Sequence, residues 1–140
     1  MGHIVVGIDG SDPSLRALAK AIDEARLRGA DLHILHAIEL SPALLHLPDD
    51  VTVDTRDMAH QQRTVAWESA QPLLEDAGLE VVRVEREGSP GKALTAYSAE
   101  IDAELLVVGT RGLGWVKKLL LGSTAQDVIH NGTCDILLVR

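Results

Sequence analysis

The segment Gly109-Thr110-Arg111-Gly112-Leu113-Gly114-Trp115-Val116-Lys117-Lys118-Leu119-Leu120-Leu121-Gly122-Ser123-Thr124 decides how the rest of this 140-residue chain is read. Before it runs Ala103 to Val108, an apolar stretch with the length of a buried strand. After it, Ala125 to His130 has the pattern of a short helix. Gly109 and Gly112 allow a sharp turn and a close approach of backbone to a ligand. Gly122-Ser123-Thr124 sets small residues at a helix start, where unpaired N–H groups and the positive end of the helix dipole attract phosphate. The same glycines also serve as ordinary turn formers. The loop is neither the Walker pattern nor the dinucleotide fingerprint. No glycine precedes Lys-Ser or Lys-Thr, and Gly112-Leu113-Gly114 lacks the third glycine.

Moving outward, the alternation of strand and helix repeats. His3 to Asp9 reads as a strand covered on both faces and ending in a carboxylate. Asp12 at the N-cap and Pro13 at the first helical position start a helix with Leu15, Leu18, Ile22 and Ala25 on one stripe, stopped by Gly29. Asp31 to Ile38 is a second strand. Residues 39–53 read as a loop, marked by Ser41-Pro42 and Pro48-Asp49-Asp50, and irregular stretches of this length are often functional. Asp54 to Ala77 is helical, with Pro72 expected to kink or break it. Leu79 to Glu87 is a strand whose alternating charges suit a sheet edge. Ser89 and Pro90 open a third helix carrying Leu94, Tyr97 and Ile101, and Asp135 to Arg140 is a fifth strand.

This β-α-β-α-β-α-β-α-β order calls for right-handed crossovers and a parallel sheet with helices on both faces. In such open sheets, ligands sit beyond the carboxyl ends of the strands where the winding reverses. For strand order 3-2-1-4-5, the reversal falls between Asp9, ending strand 1, and Gly109, ending strand 4.

Composition sets the boundaries. One domain, 1–140, is expected from the length. No apolar run approaches a membrane span, and Met1-Gly2-His3-Ile4 leads straight into a strand, so neither a membrane segment nor a signal peptide is expected. The single Cys134 fits a reducing, cytoplasmic compartment and lacks a visible activating base. A net charge of −8 and 2% aromatics disfavour nucleic acid as a partner. His33 and His36 stand three apart on a strand and so point to opposite faces, which is no metal constellation. Lys117 and Lys118 read either as a screen for phosphate or as a solvated pair.

Gly109-x-x-Gly112, nine residues, then Gly122-Ser123 resembles the pattern of ATP-binding universal stress proteins. So do the start Val5-Val6-Gly7-Ile8-Asp9-Gly10-Ser11 and the end of strand 2, His36-Ala37-Ile38. The resemblance spans the chain and departs at Asp135, where the family usually has proline. It implies a three-layer α/β sandwich, Rossmann-like and of the adenine-nucleotide alpha-hydrolase type, with ATP in the crevice. By that resemblance, Asp9 accepts hydrogen bonds at the adenosine end. Gly7 and Ile8 line the base pocket, and Ala37 meets adenine through its backbone. Val108 and Gly109 pack beside the ribose, and Gly112 lets the phosphates approach. Gly122, Ser123 and Thr124 hold the phosphates. Arg111 pairs with phosphate or faces water. Ser123 has a second reading, as the N-cap of a capping box with Gln126 at N3.

The resulting expectation is a sensor or regulator in stress response, forming a homodimer through strand 135–140 and acting on an unnamed regulatory partner. Any Mg²⁺ or Mn²⁺ would travel with the nucleotide. At most slow ATP hydrolysis is expected, because no general base or arginine finger is evident. A nucleotidyl or phosphoryl transferase on the same fold, or a flavodoxin-like or receiver-type module, are the alternatives.

Overall fold

Apolar runs bounded by turn residues become strands, and the amphipathic stretches between them cover the two faces. The computed structural model describes residues 2–40, 48–51, 54–111 and 121–140. The chain order is β1 (His3–Ile8), α1 (Asp12–Arg28), β2 (Asp31–Ile38), α2 (Thr55–Ala77), β3 (Val81–Glu87), α3 (Pro90–Glu100), β4 (Leu105–Gly109), α4 (Ser123–Asn131) and β5 (Asp135–Val139). The sheet order is β3-β2-β1-β4-β5 and each neighbouring pair is parallel, as expected. β3 is an edge, with Val84 buried and Arg83 and Glu85 exposed.

The period-two alternation of strand side chains divides the core. On one face Ile4, Val6 and Ile8 pack with Leu18 and Ile22 of α1 and Ala66 and Ala70 of α2. On the other, Val5, Leu35 and Val108 pack with Leu94 and Tyr97 of α3 and Ala125 and Val128 of α4. Ile4, Val5 and Val6 are wholly buried because β1 is the central strand. Each such side chain stabilises the fold by roughly 1.5–3 kcal/mol relative to exposure.

His33 and His36 do point to opposite faces. His33 Nδ1 lies 2.8 Å from the Tyr97 hydroxyl, and burial, helped by nearby His3, holds its imidazole below the ordinary histidine value. His36 meets Glu85 on the α2 side. Burial raises the Cys134 thiol, which keeps it unreactive.

Three local expectations are corrected. α1 is capped by Ser11 rather than Asp12; the Ser11 hydroxyl accepts from Ser14 N at 3.3 Å, and Asp12 is the first helical residue. α2 is not broken at Pro72, the expected break: Pro72 is exposed, so the carbonyl it leaves unpaired on the preceding turn, at exposed Glu68, has water to turn to. Gly122, not Ser123, is the N-cap of α4. The physical reason is a tertiary bond. Gly122 N donates to Thr110 O at 2.6 Å, which holds Gly122 in extended geometry beside the end of β4. The helix then begins at Ser123, Gln126 lies one position beyond N3, and its Nε2 donates to Leu121 O at 2.9 Å.

Candidate functional site

The site grows from the carboxyl ends of β1, β2 and β4, where the strand order reverses. After Ile8 the chain turns through Gly10 at φ +85°, a left-handed conformation that favours glycine. Asp9 closes this turn: its Oδ1 accepts from Ser11 N at 2.9 Å and from the Ser11 hydroxyl at 2.5 Å. Asp9 N in turn donates to Ser14 Oγ at 3.2 Å. The carboxylate is thereby fixed in place as an acceptor at the head of the crevice.

Across the reversal, β4 ends at Gly109. A Cβ there would lie 2.9 Å from Pro13 O, so this position is glycine because the first turn of α1 packs directly on it. Thr110 N donates to Val139 O at 2.9 Å, tying the exit of β4 to β5. The chain leaves here and returns at Gly122, held to Thr110. α4 then starts on a glycine cap, which gives no side-chain hydrogen bond to its first N–H groups. A helix start of this kind offers its donors and its dipole to an anion.

Gly7, Ile8, Asp9, Ala37, Val108, Gly109, Arg111, Gly122, Ser123 and Thr124 all line one cavity of about 660 Å³. That volume falls within the ~300–1,000 Å³ of small-molecule sites. Gly112, the remaining expected residue, lies outside the described residues, as do Lys117 and Lys118. Among the described residues, no group of three or more His, Cys, Asp or Glu is placed to hold a metal ion.

The cavity has a wall that the sequence reading did not find. His36, Glu39, Gln61, Gln62 and Val65 line it from the side of α2. Gln62 fixes the end of β2, with its Oε1 accepting from Glu39 N at 3.1 Å and its Nε2 donating to Glu39 O at 2.9 Å. This pair of bonds imitates strand pairing and holds the backbone just beyond Ala37. A carboxamide seven residues into a polar helix carries no motif, and only the packing of α2 against β2 reveals it.

Comparison with known proteins identifies the family and the fold. The model of the universal stress protein family matches residues 1–140. A universal stress protein of Thermus aquaticus is 37% identical over 139 residues, covering 98% of this chain and 97% of that one. A universal stress protein solved in complex with cAMP is 30% identical, with a TM-score of 0.73 and coverage of 99% and 97%. The universal stress protein UspA from Lactobacillus plantarum superposes with a TM-score of 0.80, at 20% identity and coverage of 99% and 97%, and speaks for the fold.

Proposed function

The chain belongs to the universal stress protein family, and from that premise we propose that it binds an adenine nucleotide, ATP by resemblance, in the cavity at the strand-order reversal. The observation that carries the reading is the meeting of ten separately expected residues on one cavity wall, ending at an uncapped helix start. The cAMP complex of a 30% identical protein supports it. Adenine would lie over Gly7, Ile8 and the Ala37 backbone, with Asp9 at the adenosine end. Val108 and Gly109 would flank the ribose. Phosphates would meet Gly112, Gly122, Ser123 and Thr124, with Arg111 close by and Mg²⁺ or Mn²⁺ accompanying them.

Binding rather than turnover is the proposed activity. Asp9, the carboxylate shared by this cavity and the β1–α1 turn, is held by Ser11 as an acceptor rather than poised as a base. A bound nucleotide would make the protein a cytoplasmic sensor or regulator in stress response, working as a single domain paired to a second copy through β5. Ile136, Leu137 and Leu138 of that terminal strand are only partly buried, which supports the pairing.

The test is mass spectrometry of ligand released from the purified protein, followed by calorimetry with ATP, AMP and cAMP. An adenine nucleotide recovered and a saturable titration are expected. No binding of any of the three at about 1 mM, a weak-affinity limit, overturns the reading. Sedimentation at tens of micromolar (an order-of-magnitude choice) checks the dimer.

A further inference from the structure

His36 lines the cavity, yet its imidazole is governed from outside it. The ring is buried, with 4% of the side chain exposed, and its Nδ1 lies 3.0 Å from Glu85 Oε2. β2 and β3 pair His36 directly with Glu85, which puts the two side chains on the same face. The other carboxylate oxygen is engaged too: Trp67 Nε1 donates to Glu85 Oε1 at 2.5 Å, and Arg63 Nε stands 3.6 Å from the same atom.

We propose that Glu85 determines which purine the cavity accepts, by holding His36 in the tautomer protonated on Nδ1. An ionised carboxylate only accepts hydrogen bonds, so the His36 nitrogen facing it must donate. In the neutral ring that leaves Nε2 bare, and Nε2 is the nitrogen His36 has left to offer a ligand. A bare imidazole nitrogen accepts a hydrogen bond from the 6-amino group of adenine. It has nothing to offer the 6-oxo group of hypoxanthine or guanine, which is itself an acceptor. The cavity wall next to Ala37 thus selects 6-amino over 6-oxo purines. This rests on the reading that an adenine nucleotide occupies the cavity, and makes Glu85 a positioning residue for its base.

Glu85→Gln reverses the logic with little change of shape. Trp67 N–H is a donor only, so it keeps the new amide oxygen on its own side. The amide N–H₂ then faces His36 Nδ1, which must accept, and the ring proton moves to Nε2. The experiment compares ATP with inosine triphosphate by calorimetry, for the wild type, Glu85→Gln and His36→Asn. His36→Asn keeps a donor near the Nδ1 position and removes Nε2. Imidazole ¹⁵N spectra of the wild type and Glu85→Gln, taken on the high-pH plateau where the ring's ¹⁵N shifts no longer move with pH, read the tautomer directly.

The wild type should prefer ATP. Both variants should lower that preference about tenfold, the worth of one hydrogen bond. The spectra should show Nε2 unprotonated in the wild type and protonated in Glu85→Gln. A wild type that binds neither nucleotide overturns the nucleotide reading and this proposal with it. A wild type that binds ATP, with the same preference in both variants, overturns the Glu85–His36 assignment alone. So does an unchanged tautomer in Glu85→Gln. Should Glu85→Gln fail to fold, the preference of His36→Asn decides.

Discussion

The starts of α1 and α4 stand on either side of the strand-order reversal and face the same cavity, but they are finished differently. At α1, Ser11 accepts from Ser14 N, and Asp9 takes the Ser11 N–H and hydroxyl. At α4, Gly122 occupies the cap position and has no side chain to spend on the first turn. One end closes on itself and becomes a rigid shelf. The other begins on a glycine that offers its helix no side-chain acceptor. Two helix N-termini with the same dipole are thus assigned to different tasks by a single side chain.

The most severe way to break this contrast is to give α4 a cap of its own. Gly122 has φ −69°, outside the left-handed region that favours glycine. Gly122→Asp should raise the stability of the free protein by a few tenths of a kcal/mol, as a better cap at the positive end of the helix. It should lower ATP affinity about a hundredfold, ~2.7 kcal/mol, because a carboxylate now holds the donors and repels the phosphates. Thermal melting with and without ATP measures both effects. A full ATP-induced rise in melting temperature would place the phosphates away from α4 and dissolve the contrast.

The matching change at the closed end should act on folding. Gly10 sits at φ +85°, and a Cβ there would lie 2.7 Å from a Val65 methyl and 3.1 Å from Val65 O. Gly10→Ala should cost roughly 1–3 kcal/mol of stability, read as a shift in denaturant midpoint. A loss below about 0.5 kcal/mol, the scale of an ordinary surface change, would mean the β1–α1 turn is looser than its bonds suggest.

A smaller effect separates the two roles proposed for Ser123. As the first helical residue rather than the cap, it has no cap hydrogen bond to lose. Ser123→Ala should therefore change stability by less than about 0.5 kcal/mol. It should weaken ATP binding about tenfold if the hydroxyl meets phosphate. A large loss of stability with unchanged affinity would return Ser123 to the capping role.

The strands were legible because the apolar runs are continuous and the turn residues sit between them, whereas their order was taken with the family resemblance and is the one observed. The sequence also located the crevice, since Asp9 and Gly109 end the two strands at the reversal. The start of α4 at Ser123 was read correctly, but both N-caps were read one residue late, Asp12 for Ser11 and, in one of two readings, Ser123 for Gly122. Adjacent small polar residues are equivalent in a pattern; tertiary bonds such as Gly122 N to Thr110 O decide between them. Gly109 was recognisable as a close-approach position, but not that Pro13 is what approaches. The pairing of His36 with Glu85 joins residues 49 apart and depends on the β2–β3 register, which no local signal carries.

The gentlest test isolates the cap that makes α1 a shelf. Ser11 is 8% exposed, and its hydroxyl both accepts from Ser14 N and donates to Asp9 Oδ1. Ser11→Ala removes both bonds but leaves the Ser11 N–H on Asp9, since that bond uses only backbone. The expected loss is about 1 kcal/mol, the usual worth of an N-cap serine. Ser11→Gly should recover part of it, because glycine at this position costs only a few tenths relative to serine. Asp9 keeps the Ser11 N–H, so ATP affinity should fall less than about threefold, under ~0.7 kcal/mol. Chemical denaturation of both variants, beside calorimetry, reads the two quantities separately. If Ser11→Ala leaves stability untouched while Ser123→Ala lowers it, the closed and open ends have been assigned the wrong way round. If Ser11→Ala instead lowers affinity tenfold or more, α1 shares in holding the nucleotide, and the two helix starts form one binding surface.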